Sequence, residues 1–231
     1  MRRGCCGAVV ALVPRVYAAP VIPLRDTIPS SRVPVVNYTI IAANVAVFVH
    51  EATLGPRVER FLFDYGLVPS EFTVRTLMTS MFVHAGWIHV LGNMLYLYIF
   101  GDNVEDRLGH VRYAIFYLLC GAAAGATHAL TAVHSSVPVV GASGAIAGVS
   151  GAYFLFFPTS RVVTILPIFL FIQIVEIPAV FFLLIWFVWQ VASGVATLGA
   201  ASHGGVAVWA HVGGFIAGMI VGPALGRRRE G

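Results

Sequence analysis

Charged residues are scarce in this sequence, and lysine is missing altogether. Only 10% of the 231 residues are charged and 58% are hydrophobic, while the 14 basic residues are all arginine. About a quarter of the residues of an ordinary soluble domain are charged. Between Tyr113 and Gly226 the only charged residues are Arg161 and Glu176. This half of the chain has almost nothing to place against water, so we expect a helix bundle embedded in a lipid bilayer.

Cysteine is rare as well. Cys5, Cys6 and Cys120 form an odd set without the spacing of metal ligands, so we expect neither a disulfide framework nor a metal site. The arginines lie in short clusters between apolar runs rather than along one helix face. The net charge of +4 therefore indicates membrane topology and not nucleic-acid binding.

Six apolar segments are candidates for spanning helices, which need about 20 residues each in a typical bilayer. The fold class predicted from them is all-α, a polytopic membrane bundle of six transmembrane helices. The segments are Val36 to Leu54, Trp87 to Phe100, Val111 to Val133, Ser143 to Phe157, Pro178 to Leu198 and Val206 to Leu225.

The distribution of arginine supports an even number of spans. With both termini in the cytoplasm, eleven arginines fall on the inner side and only Arg57, Arg60 and Arg75 on the outer side. We therefore predict a cytoplasmic N-terminal segment (1–35), a membrane domain (36–225) and a basic cytoplasmic tail (226–231), in a multi-pass protein of the plasma membrane. Residues 1–20 resemble a signal peptide, but their apolar run is short and we expect no cleavage.

Two connecting segments complete this topology. The stretch from Arg161 to Ile177 is apolar but contains Pro167 and Glu176. A seventh span there would place the C-terminal arginines outside, so we expect an interfacial or loop segment. The outer connection from Gly55 to Ser80 is too short for a separate soluble domain, and we expect it to fold onto the outer leaflet.

Polar residues occur at three places within the apolar segments: His89 with Asn93, the run from Gly141 to Gly144, and the run from Ala210 to Gly214. A polar side chain inside a bilayer is costly unless it has a partner, and it often marks a functional site. Each group taken alone is also ordinary helix-packing material. What favours a site is that all three lie at a similar depth.

That depth follows from the rise of a helix, about 1.5 Å per residue. Counted from the charged residue at the inner flank of each segment, Ser143, His211 and His89 lie roughly 27, 24 and 20 Å above the inner surface. Glycines at intervals of four, which allow close helix contact, follow both Ser143 and His211. These glycines are Gly144, Gly148, Gly214, Gly218 and Gly222.

These residue types are those of a serine hydrolase. A serine hydroxyl becomes a good nucleophile when a neighbouring base takes its proton, and histidine is the usual base near neutral pH. We predict that Ser143 is the nucleophile and His211 its base, as a dyad, because no acidic residue lies at their depth. His89 and Asn93 share a helix face and can donate to an oxyanion, together with the backbone N–H of Ser143. We expect no metal and no cofactor.

Three motifs resemble the rhomboid family of intramembrane proteases in order and spacing. They read FVHAGWIHVLGNMLYLYIFGDNVEDRLG from Phe82, GASGAIAG from Gly141 and AHVGGFIAG from Ala210. The resemblance implies that Ser143 and His211 are catalytic and that His89 and Asn93 bind the oxyanion. It also implies structural roles near the site for Gly141, Gly214 and Gly218, beside Gly144 from the glycine spacing, and structural roles for Glu105 and His84.

The sequence departs from the family pattern at two positions. Some members place a tyrosine four residues after the nucleophile, where it stacks on the catalytic histidine, but Ala147 occupies this position. Other contacts must therefore hold His211. The Trp-Arg pair that many members carry in the outer loop is also missing, because Trp87 is followed by Ile88. This second departure bears on how substrates are handled.

The predicted function is hydrolysis of peptide bonds in or next to the transmembrane helices of membrane-protein substrates. The expected partners are those substrates and the lipid bilayer. One alternative is a catalytically silent rhomboid-like protein that binds membrane proteins and guides their folding or degradation. Another is a small-solute transporter, which would need a polar pathway through several helices, whereas the inner half of the fourth and sixth spans is apolar.

Overall fold

The computed structural model describes residues 22–168, 171–196 and 207–226, and the described part of the chain is mainly helical. In chain order, the elements are β1 (Ile22–Asp26), α1 (Val35–Thr53), α2 (Val58–Tyr65), α3 (Val74–Thr79), α4 (Trp87–Leu108), α5 (His110–Thr131), α6 (Ser143–Phe156), β2 (Arg161–Ile168), β3 (Phe171–Pro178), α7 (Ala179–Ala196) and α8 (Val208–Leu225).

Each of the six predicted spans corresponds to one helix: α1, α4, α5, α6, α7 and α8. Among the described helices, four are long and apolar enough to cross a membrane: α1, α5, α7 and α8. Helix α6 is apolar but has only 14 residues, and α4 extends past the predicted end at Phe100 into a charged turn. The prediction of a helical membrane bundle is confirmed, whereas the number of spans and the domain boundaries stay predictions.

The connection between α1 and α4 is not a simple loop. It holds the short helices α2 and α3 and the 3-10 turns Gly55–Arg57 and Pro69–Glu71. The N-cap threonine Thr73 accepts a hydrogen bond from the backbone N–H of Thr76, which explains why α3 begins there. An isolated bridge joins Leu67 to Val139, so the α1–α4 connection is fixed to the segment that precedes α6.

The segment expected to be interfacial or a loop forms a β-hairpin, a secondary structure that the sequence analysis did not predict, and its position relative to the bilayer stays a prediction. Strands β2 and β3 pair in antiparallel fashion, and β2 also pairs with β1 at the N-terminal end of the described chain. The β-branched residues Val162, Val163 and Thr164 suit a strand, and all three are buried. The result is a three-stranded sheet that ties the N-terminal segment to the connection between α6 and α7.

Several expectations concern residues outside the described part of the chain. These are the signal-like residues 1–20 with Cys5 and Cys6, the end of the fifth predicted span with the start of the sixth (197–206), and the terminal arginines (227–229). Cys120 is described, and it is buried and free.

A buried polar network holds the start of α1 against the end of α4. The carboxylate of Glu105 accepts hydrogen bonds from the backbone N–H groups of Val36 and Asn37, at 2.9 and 2.6 Å. These N–H groups have no acceptor within their own helix, because they belong to its first turn. The Asn37 side chain in turn donates to the Leu97 carbonyl and accepts from the Tyr113 hydroxyl. Glu105 therefore has a structural contact of the kind that the family resemblance implies.

Candidate active site

Ser143 is the first residue of α6, where the chain turns from an extended segment into the helix. Gly141, two residues earlier, has a φ of +123°, a conformation that favours glycine. Its backbone N–H donates to the Ser80 carbonyl at 2.9 Å, which fixes the turn. The N–H of Ser143 lies at the N-terminal end of the helix, where backbone donors lack partners in the helix and the dipole is positive.

His211 on α8 is brought to Ser143 by the packing of α6 against α8. Its Nε2 lies 2.8 Å from the Ser143 Oγ, and its side chain is buried. Glycine permits this close approach: a Cβ built at Gly214 would overlap the carbonyl oxygen of Gly144, and one at Gly218 would overlap that of Gly148. The two residues predicted to form a dyad are therefore in hydrogen-bond contact, and their catalytic roles stay a prediction.

His89 and Asn93 lie on one face of α4 and point toward the turn before Ser143. A Cβ built at Gly141 would stand 2.6 Å from the His89 ring and 3.5 Å from the Asn93 side-chain nitrogen. That nitrogen is buried and has no hydrogen-bond partner among the residues that the structure describes. An unpaired buried donor is costly to keep, which makes this nitrogen a candidate donor to a ligand at this turn.

Two side chains on α7 that the sequence analysis did not assign to the site contact His211. The His211 Nδ1 lies 2.9 Å from the Gln190 Oε1. The ring of Trp186 lies 5.7 Å from the His211 ring, centroid to centroid, with a tilt of 38°. These two contacts hold His211 in the absence of the stacking tyrosine that Ala147 replaces. An amide within an apolar run, one helical turn from a tryptophan, is the signal that could have indicated Gln190.

His84 is a second buried histidine next to the site, in the loop before α4. Its ring packs edge-on against His89 at 5.1 Å, and its backbone N–H donates to the carboxylate of Glu51 on α1. Burial, reinforced by the charge that His89 would carry, lowers the pKa of His84 to about 4. A neutral His84 packs against the ring of His89 from the outer loop, and its structural role stays a prediction.

Taken together, the site contains a hydroxyl, an imidazole in contact with it, and donors grouped at the turn beside it. This combination suits acyl transfer, in which a base activates the hydroxyl and donors stabilise an oxyanion. Within the described part of the chain, no three His, Cys, Asp or Glu side chains are grouped so that they could hold a metal ion.

Comparison with known proteins adds a family relationship. A family model described as the Rhomboid domain matches residues 71–228. RHOMBOID-like protein 6, mitochondrial, of Arabidopsis thaliana is 41% identical over 76 residues, which are 33% of this chain and 24% of that protein. Rhomboid-like protein 11, chloroplastic, of Arabidopsis thaliana is 32% identical over 111 residues, or 48% of this chain and 38% of that protein.

A further relative, Inactive rhomboid protein 1 of Drosophila melanogaster, is 32% identical over 88 residues, which are 38% of this chain and 6% of that protein. The matched part of the chain is thus less than two fifths of each of these three relatives.

Proposed function

The chain belongs to the rhomboid family, and from this premise we propose that it is an intramembrane serine endopeptidase. The observation that carries the proposal is the 2.8 Å contact between the Ser143 Oγ and the His211 Nε2, within apolar helices. In the proposed reaction the Ser143 oxygen attacks the peptide carbonyl while His211 takes the hydroxyl proton. His211 then gives this proton to the leaving amine, and water releases the acyl group from Ser143.

The proposed oxyanion site is formed by His89, Asn93 and the backbone N–H of Ser143. The unpaired donor of Asn93 and the start of α6 support this assignment. Such donors act most strongly where water is excluded and where they need not move during the reaction.

The proposed substrates are transmembrane helices of other proteins. A helical peptide bond is protected by its own hydrogen bonds, so a substrate must unwind before it reaches Ser143. Small or helix-destabilising residues such as glycine lower the cost of unwinding, by about 1 kcal/mol per glycine relative to alanine.

We further propose six spans, with both ends of the chain in the cytoplasm and the protein in the cell membrane. The excess of arginine on one side supports this orientation. A helix of 14 residues such as α6 is about 21 Å long, which suits a helix that begins at Ser143 inside the bilayer. Reporters are fused to the N- and C-terminal ends of the chain. Two reporters on opposite sides of the membrane would reject the even number of spans. Recovery of the tagged chain from an organelle would reject the location in the cell membrane.

The test of the activity uses the purified chain in lipid with two labelled transmembrane peptides, one containing glycine and one of leucine only. We expect cleavage of the glycine-containing peptide, and at least a hundredfold loss of kcat in Ser143→Ala and in His211→Ala, because the nucleophile or its base is gone. Cleavage of the leucine peptide at the same rate would reject the proposed substrate class.

The match to an inactive rhomboid protein favours a second candidate, a membrane-protein-binding factor without catalysis. A serine-directed fluorophosphonate separates the two. A protease forms a covalent adduct at Ser143 that is lost in Ser143→Ala. A folded chain that neither cleaves peptides nor labels at Ser143 would establish the silent alternative.

A further inference from the structure

The described structure gives His211 a partner on each ring nitrogen. Nε2 contacts the Ser143 Oγ at 2.8 Å and Nδ1 contacts the Gln190 Oε1 at 2.9 Å. A neutral imidazole carries its proton on only one of the two nitrogens, and the hydrogen bond at one nitrogen decides the state of the other. The contact at Gln190 therefore bears directly on whether Nε2 can accept a proton.

The side-chain oxygen of Gln190, Oε1, decides between the two tautomers of His211. The amide oxygen can only accept, so a hydrogen bond between Oε1 and Nδ1 requires the proton on Nδ1. Nε2 then keeps its lone pair and faces the Ser143 hydroxyl as an acceptor. With the proton on Nε2 instead, His211 could not take the serine proton.

We propose that Gln190 is a positioning residue that holds His211 in the tautomer with Nδ1 protonated. The catalytic consequence rests on the proposed function, whereas the tautomer itself does not. Gln190 thus takes the orienting position that a carboxylate occupies in serine hydrolases with a catalytic triad. A neutral amide suits the bilayer better, because a carboxylate on α7 would place a further charge among apolar helices.

The neighbouring tryptophan supports the same role. Trp186 and Gln190 are four residues apart and share one face of α7. The Trp186 ring packs against the His211 ring while the Gln190 amide contacts its edge. Two contacts from one helix face fix both the plane of the imidazole and its rotation, and neither contact comes from the helix that carries Ser143.

The first test reads the tautomer without using catalysis. The ring nitrogens of His211 are observed by ¹⁵N NMR in lipid at about pH 8, where an unperturbed imidazole is neutral, and are assigned by their loss in His211→Ala. We expect Nδ1 to be protonated in the wild type and in Gln190→Glu, and a mixture of tautomers in Gln190→Leu. Protonation at Nε2 in the wild type, or no change in Gln190→Leu, would overturn the proposal.

The second test reads turnover with the glycine-containing peptide. Gln190→Leu keeps the approximate size of the side chain and removes the acceptor. We expect kcat to fall roughly ten- to hundredfold while KM changes by less than about twofold. The loss of kcat should be smaller than in a variant that locks the histidine in the wrong tautomer, because Gln190→Leu leaves a mixture of tautomers. Gln190→Glu restores an acceptor oxygen at the same position and should recover part of kcat, the rest being lost to the charge that the carboxylate adds among the apolar helices. Ile185→Leu, on the exposed side of α7, is the matched control.

The two tests separate failure of this inference from failure of the proposed function. A chain with no peptidase activity whose His211 tautomer still changes in Gln190→Leu would lack the proposed function and retain the positioning role. Normal turnover in Gln190→Leu, with an unchanged tautomer, would leave the protease proposal intact and reject the role of Gln190.

Discussion

Asn93 shows how a single residue can be placed for chemistry at the expense of its own hydrogen bonding. Its side-chain nitrogen is buried, lies beside Gly141 and has no partner in the described part of the chain. A buried donor without a partner costs about 1–3 kcal/mol. Removing it should therefore cost little stability while it removes a donor from the proposed oxyanion site.

The corresponding prediction concerns Asn93→Ala. We expect kcat to fall by about 10²–10³-fold with KM nearly unchanged, because the lost hydrogen bond is made mainly in the transition state. The free energy of unfolding should change by less than about 1 kcal/mol. Peptide cleavage and unfolding are measured on the same preparation. A large loss of stability with normal turnover in the folded fraction would show that Asn93 is structural instead.

An argument about depth could relate Ser143 to His211 from the sequence alone, whereas it gave no indication of Gln190. Ser143 and His211 lie in segments with countable distances to a charged flank, and the structure brings them into contact. Gln190 meets His211 only because α7 packs against α8, and no spacing in the sequence records how those two helices face each other. Its amide within an apolar run was the available signal.

At the scale of elements, the contact between α6 and α8 decides whether the site forms. The glycine interval of four predicted close packing of these helices. A Cβ atom built at Gly214 or Gly218 would overlap a backbone carbonyl of α6, so the two helix backbones are in close contact. In a bilayer such helix pairs are held by van der Waals contact, since lipid is as apolar as the side chains it would replace. Close backbone approach should therefore contribute to stability at this interface.

A matched pair of glycine substitutions tests this. Gly218→Ala places a methyl group against the Gly148 carbonyl, whereas Gly92→Ala on α4 meets open space. We expect Gly218→Ala to lower the free energy of unfolding by about 1–3 kcal/mol through overpacking. Gly92→Ala should leave it unchanged or raise it by up to about 1 kcal/mol through helix propensity. Equal effects in a detergent unfolding titration would contradict the packing argument.

The hairpin of β2 and β3 marks the limit of prediction for elements. Its β-branched residues were visible in the sequence, but Pro167 and Glu176 within an apolar stretch favoured an interfacial segment. Strand β1 adds a third strand to it, with Ile22 paired to Ile165 on β2. A partner so distant in sequence leaves no periodicity that a local pattern could reveal.

For the whole molecule, one carboxylate links the sheet to the helix bundle. Asp26 at the end of β1 accepts hydrogen bonds from the Tyr153 hydroxyl on α6 and from the Asn103 amide on α4, the latter at 2.8 Å. Burial raises the pKa of Asp26 to about 6, against the opposing effect of the Tyr153 hydrogen bond, and the charge of Asp102 raises it further. The attachment of the N-terminal segment should therefore depend on pH.

The sign of that dependence follows from proton binding. Because the pKa of Asp26 is raised from 3.8 to about 6 in the folded chain, the attached strand binds more protons than a detached one between these values. Its stability must then fall as pH rises through this window and level off above it.

We expect the hydrogen-exchange protection factors of residues 24–26, corrected for intrinsic rates, to drop several-fold between pH 4 and about pH 6.5. Asp26→Asn, neutral at this position throughout, should give a clearly shallower profile, the remaining slope coming from the partly buried Asp102, whose pKa is also raised by burial. Asp64→Asn, at an exposed carboxylate, should keep the wild-type slope. A slope that survives Asp26→Asn undiminished would assign the pH dependence to another group and leave Asp26 a pH-independent link between the sheet and the bundle.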